Sequence, residues 1–263
     1  MEISGAIFDC DGTLVDSMTM WRGANRWLFE ANGLDADAVD LVALEALSIW
    51  DMCAYMHDEL GCEATAEELY EQLCAHVRDA YRNEVEIFPG AREFVAELAA
   101  AGVPMIIASS TPVRELRCAL EAHGLDGYFR DLVSTEDVGG RDKEFPDVYL
   151  EAQRRLGTPR ETTWVFEDAP FGVQTSRRAG FAVVGLMPRG GRATLLRHLR
   201  PRLRRALAAA AARLRAARAA ARRADEGASG CRLAGAELAF AAHASRRRGR
   251  LRRRGRRWRR RLP

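Results

Sequence analysis

Lysine is almost missing from this chain. Of its 40 basic side chains all but Lys143 are arginine. Apolar runs of roughly 20 residues are missing as well, which excludes a helical membrane span. The six cysteines (Cys10, Cys53, Cys62, Cys74, Cys118 and Cys231) contain no Cys-x-x-Cys pair, so no zinc spacing is present. Read as reduced thiols, they point to a cytoplasmic protein. The first residues lead straight into an apolar strand, which is not the pattern of a signal peptide. The net charge of +3 conceals an asymmetry. Residues 1–188 carry 15 basic and 34 acidic side chains, whereas residues 189–263 carry 25 arginines against Asp225, Glu226 and Glu237. An acidic part long enough to bury a substantial core is joined to a strongly basic tail.

The chemistry starts at the end of the first apolar run. Ile3, Ala6, Ile7 and Phe8 read as a buried strand, followed by Asp9-Cys10-Asp11-Gly12-Thr13-Leu14-Val15-Asp16-Ser17. Two carboxylates two residues apart at a strand's carboxyl end repel unless a cation lies between them. The pair therefore calls for Mg²⁺, with one acid as nucleophile and the other as proton donor. Taken alone, the nonapeptide also reads as a strand ending in an Asp-Gly turn with solvated acids. A calcium loop of the EF-hand type fits worse, because its glycine comes two residues later, after a third ligand.

Three further segments follow in order. Ile106-Ile107-Ala108-Ser109-Ser110 is a strand ending in hydroxyls, and Lys143-Glu144-Phe145-Pro146-Asp147 surrounds the lone lysine. Trp164-Val165-Phe166-Glu167-Asp168-Ala169-Pro170-Phe171-Gly172 ends a strand in paired acids. Singly, Ser109-Ser110-Thr111-Pro112 could cap a helix and Glu167-Asp168 could be a solvated turn.

Together the four resemble the signature of the haloacid dehalogenase-like superfamily, over about residues 1–187. The resemblance is to its sugar-phosphate phosphatases and beta-phosphoglucomutases with a small helical cap. It implies Asp9 as nucleophile and Asp11 as general acid and base. Ser109, with Ser110 as the alternative, would bond a phosphoryl oxygen, and Lys143 would neutralise charge on Asp9 and phosphate. Mg²⁺ would be held by Asp9, the Asp11 backbone carbonyl and Asp168, with Glu167 nearby. The reaction implied is hydrolysis of a small phosphate monoester, a sugar phosphate or similar metabolite, through an aspartyl-phosphate. A phosphosugar mutase is the alternative; it needs a basic phosphate clamp in the cap, for which Arg22, Arg26, Arg78 and Arg82 are the candidates. Dehalogenation is disfavoured by the presence of Asp11, and phosphonate cleavage through a cap lysine by the absence of lysine from residues 17–86. Two departures from the pattern stand out: Glu144 replaces the usual first proline of the lysine motif, and Ala169 stands where serine is common.

Strands alternating with helices predict an α/β fold, a Rossmann-like doubly wound parallel sheet from residues 1–16 and 87–188. Between these lies an all-helical cap, residues 17–86. There Trp21, Leu28 and Ala31 suggest one helix, and Leu41, Leu44, Leu47 and Met52 another. Thr65-Ala66-Glu67-Glu68 is a capping box, opening a helix with Leu69, Leu73, Val77 and Tyr81 on its packing face. Trp21 is placed equally well toward substrate or within the cap.

Residues 189–263 differ in kind, being mostly alanine, leucine, glycine and arginine. Such a segment reads as an arm for nucleic acid or an anionic membrane, or as an out-of-frame translation of GC-rich DNA. On either reading it is expected to be poorly ordered or marginally helical.

Overall fold

The computed structural model describes residues 2–44 and 47–186, and helical pieces at 205–206, 208–212, 215–216 and 219–220. The chain divides into two compact units, Met1–Leu214 and Arg215–Pro263. In the second, the described residues are helical and exposed. Most of the basic tail lies outside the described residues. Within it, Ala206 and Ala210 of the first unit are buried in the main hydrophobic cluster.

Among the described residues five strands form the sheet: β1 (Gly5–Phe8), β2 (Met105–Ser109), β3 (Leu132–Ser134), β4 (Thr163–Glu167) and β5 (Ala182–Gly185). All neighbours are parallel, in the order β3-β2-β1-β4-β5. A parallel sheet needs cover on both faces, and alternation along the strands provides it. Ala6, Phe8, Met105, Ile107 and Phe166 enter one cluster, shared with Phe94 and Leu98 of α5 (Ala91–Ala100). Ile7, Ile106, Ala108 and Val165 enter the other, with Val148, Tyr149 and Ala152 of α7 (Asp147–Leu156). On the sheet, the chain turns from β3 back past β1 to β4. That reversal puts the carboxyl ends of β1 and β4 at the switch point, where such sheets bind ligands.

The insert between β1 and β2 is helical: α1 (Met18–Ala31), α2 (Leu41–Leu44), α3 (Ile49–Asp58) and α4 (Ala66–Asn83). The capping box forms as the sequence predicts, with Thr65 and Glu68 exchanging both bonds. Leu69, Leu73, Val77 and Tyr81 are all buried, each aliphatic one contributing about 1.5–3 kcal/mol by leaving water. One expectation is corrected. Leu41 to Met52 is two helices, because Ser48 caps the second by accepting the Asp51 N–H at 3.0 Å. Two helices remain to be placed. α6 (Val113–Ala122) follows β2 and packs against α4. α8 (Pro170–Arg178) has no counterpart in the periodicity; proline at its first turn starts it.

The two passages between sheet and insert lie side by side. Val15 bridges Ile87 in antiparallel fashion, and the Asp16 N–H donates to the Glu86 carbonyl at 2.8 Å. The five described cysteines are unpaired and buried. No described helix is long and apolar enough to cross a membrane.

Candidate active site

Strand register brings the acids together. Phe8 of β1 pairs with Phe166 of β4, and their rings stack at 4.4 Å. Phe94 of α5 meets both rings edge-on. One residue further on, Asp9 and Glu167 emerge side by side on the opposite face, and Asp168 follows. The Asp9 N–H donates to the Phe166 carbonyl at 3.0 Å, extending the pairing into the site.

Lys143 reaches this pair from the loop before α7. Its Nζ lies 2.5 Å from Asp9 Oδ1 and 3.3 Å from both oxygens of Glu167. All three side chains are buried. Burial alone would lower the ammonium's proton affinity, but the charges of Asp9 and Glu167 outweigh it and hold Lys143 well above its ordinary value. Burial pushes Asp9 up, with the Lys143 charge pulling against it. Glu167 is raised well above the carboxylate range by burial and then by Asp9. Tyr149 of α7 donates to Glu167 Oε1 at 3.3 Å.

The other oxygen of Asp9, Oδ2, is buried and has no hydrogen-bond partner. Asp9, Glu167 and Asp168 each offer a carboxylate oxygen, and these lie within 4.8 Å of one another. Thr13 donates to Asp168 Oδ1 at 3.4 Å. Burial, then the charge of Asp9, raises Asp168 to about 7. Crowded carboxylates whose proton affinity is raised, around an orphaned oxygen, fit a hard divalent cation. Gly12 lies against this cluster at φ +82°, and a Cβ there would collide with the Asp168 carboxylate.

Asp11 faces elsewhere. Ser17 Oγ and Tyr81 Oη both donate to its Oδ1 at 2.6 Å, and Thr111 Oγ1 donates to Oδ2 at 2.8 Å. Its side chain is outside the acidic cluster. Tyr81, expected only as a packing residue of α4, therefore has its ring in the core and its hydroxyl on Asp11. Ser17 closes the first motif and Thr111 directly follows the second, but the sequence assigns a role to neither. Ser109 is buried at the end of β2, with its Oγ accepting the Thr111 N–H at 3.1 Å, whereas Ser110 is exposed. Helix α6 takes no side-chain cap from this run.

The arginines considered for a phosphate clamp are otherwise engaged or exposed. Arg26 pairs with Glu30 and Asp37, and Arg78 with the buried Glu115 of α6. Arg22 and Arg82 are exposed. Trp21 is half-buried against the main cluster.

The sequence profile described as haloacid dehalogenase-like hydrolase matches residues 6–186. The chain belongs to this family. It is 28% identical over 181 residues to the fructose-1-phosphate phosphatase YqaB of Escherichia coli, covering 69% of this chain and 95% of that one. It is 31% identical over 189 residues to the validoxylamine A 7'-phosphate phosphatase of Streptomyces hygroscopicus subsp. limoneus, covering 69% and 84%. In fold it matches CbbY from Rhodobacter sphaeroides, crystallised with phosphate, at a TM-score of 0.62 and 20% identity, covering 71% of this chain and 87% of that one.

Proposed function

We propose that the protein is a Mg²⁺-dependent phosphatase that hydrolyses a small phosphate monoester, a sugar phosphate or a similar polyol phosphate. The observation that carries this is the state of Asp9. Lys143 occupies Oδ1, while Oδ2 is buried and unpartnered beside two further acids. The names of the two phosphatase relatives support the substrate class.

In the first half-reaction an Asp9 carboxylate oxygen attacks phosphorus. A phosphorus–oxygen bond to Asp9 forms as the ester bond breaks, and Asp11 gives its proton to the departing oxygen. In the second, Asp11 takes a proton from water. The water oxygen attacks phosphorus, the bond to Asp9 breaks, and inorganic phosphate leaves. Lys143 counters negative charge on Asp9 throughout, and the Ser109 hydroxyl donates to a phosphoryl oxygen. Asp9, Asp168 and the Asp11 backbone carbonyl would hold Mg²⁺, with Glu167 nearby. Bound there, the ion supplies positive charge that lets one anion approach another.

The test is phosphate release from fructose 1-phosphate by the full chain. Activity that requires Mg²⁺ and disappears in Asp9→Asn is the expected result. A folded protein that releases no phosphate from any sugar, polyol or aryl ester would overturn the reading.

A further inference from the structure

Asp9 and Asp11 stand two residues apart, yet their partners differ in kind. Asp9 is paired with an ammonium, which has donors only. Asp11 is held by three hydroxyls, from Ser17, Tyr81 and Thr111. A hydroxyl can donate to a carboxylate and can also accept from a carboxylic acid. A hydroxyl can therefore stay bonded to Asp11 in either form, and what three of them on two oxygens fix is the direction of the side chain. The three hydroxyls also come from separate parts of the fold. Ser17 precedes α1, Thr111 follows β2, and Tyr81 lies near the end of α4 in the insert.

We propose that Tyr81 is a positioning residue through which the helical insert orients Asp11 for proton transfer to the leaving oxygen. This rests on the phosphatase reading. The geometry supports a fixed orientation. Tyr81 and Ser17 grip one carboxylate oxygen, Thr111 grips the other, and Ser17, Tyr81 and Thr111 are all buried. The Tyr81 ring is packed in the main cluster, so its hydroxyl is held by the body of the insert. α4 is itself tied to the core at α6, where buried Glu115 accepts from Arg78 of α4 and from Arg114 Nε at 3.0 Å. Tyr70 of α4 adds a bond to Glu136 Oε1 at 2.7 Å. The position of α4 thus sets the position of the hydroxyl that meets Asp11.

Such a role has a signature that packing alone lacks. Protonating the leaving group matters for an alkoxide, which leaves poorly, and little for a nitrophenolate, which leaves without help. The value of kcat/KM reports steps up to the first irreversible one, so it isolates the half-reaction in which Asp11 acts as acid. The experiment compares Tyr81→Phe with the unaltered full chain on fructose 1-phosphate and on p-nitrophenyl phosphate. General acids contribute about 10²–10⁴-fold, and losing one of three contacts should forfeit part of that. The expected result is a loss in kcat/KM at least about tenfold larger on the sugar phosphate than on the aryl ester. Thr111→Val, which removes a hydroxyl from the core side, should show the same selectivity. Equal losses on both esters, or no loss on either, would overturn the positioning role while leaving the phosphatase reading intact. If Tyr81→Phe unfolds, Tyr81→Met, which also removes the hydroxyl and keeps an apolar side chain in the cluster, decides the matter by the same criterion. An unaltered, folded chain that cleaves no sugar, polyol or aryl ester overturns the phosphatase reading and this inference with it.

Discussion

Lys143 Nζ bridges Asp9 and Glu167, two acids that end neighbouring parallel strands. In a chain that uses arginine everywhere else, the site holds the compact cation. An arginine there would bring a planar fork into a slot where the lysine is buried and close to two carboxylates. Both Lys143→Arg and Lys143→Met should lower kcat/KM by about 10²–10³-fold, the usual scale for removing a charge-stabilising group. Phosphate release at saturating Mg²⁺ checks this. Arginine retaining activity within tenfold of lysine would contradict it.

The metal-free protein should lose stability as pH rises. Asp168 is raised from 3.8 to about 7, and Asp9 and Glu167 shift the same way. Between the two Asp168 values the folded chain holds a proton that the unfolded chain has released. That contribution to stability is therefore full below the lower value and gone above the upper one. Mg²⁺ favours the ionised carboxylates and opposes the trend. In EDTA the melting temperature should fall from about pH 5 to about pH 8, and Mg²⁺ should raise it more at the alkaline end. A melting temperature that climbs through this window in EDTA would refute the assignment.

Gly12→Ala should damage the acidic cluster proposed to hold Mg²⁺. The new methyl would meet the Asp168 carboxylate, and alanine disfavours the φ of +82° found there. The expected result is Mg²⁺ affinity, measured by calorimetry, weakened by about tenfold or more. Unchanged affinity would mean that Asp168 can move aside freely.

The contact between α4 and α6 offers a contrast in magnitude. The Glu115 carboxylate is 2% exposed and accepts from Arg78 and Arg114, whereas Glu71 is 58% exposed and meets Arg114 at 2.8 Å. Removing the buried acceptor that two arginines share should cost more than the about 0–1 kcal/mol that an exposed pair contributes. Urea denaturation should therefore rank Glu115→Ala far below Glu71→Ala. Similar stabilities would show that water reaches Glu115.

What could be read from sequence was what is local. Three of the four motifs held Asp9, Lys143, Glu167 and Asp168, and strand register together with the loop before α7 brought them together. The capping box at Thr65 was equally legible, since both of its bonds span three residues. The break at Ser48 was not, because spaced leucines run across it without a glycine or proline to mark it. The shell around Asp11 was hidden for a different reason. Its hydroxyls lie 6, 70 and 100 residues away in sequence, and a tyrosine on a leucine face looks like packing until its oxygen is located. α8 escaped because Gly172, Gln174 and Ser176 dilute any apolar period.

The paired passages at Val15 and Ile87 have a meaning for how such a protein changes over time. An insert whose two ends meet can be lengthened, trimmed or exchanged while the strand ends it departs from keep their register. The sheet and the insert can then be altered by separate genetic events. One contact resists that independence. On the proposed mechanism, a replacement insert that lacks a hydroxyl where Tyr81 stands would inherit the nucleophile intact and the proton donor poorly aimed.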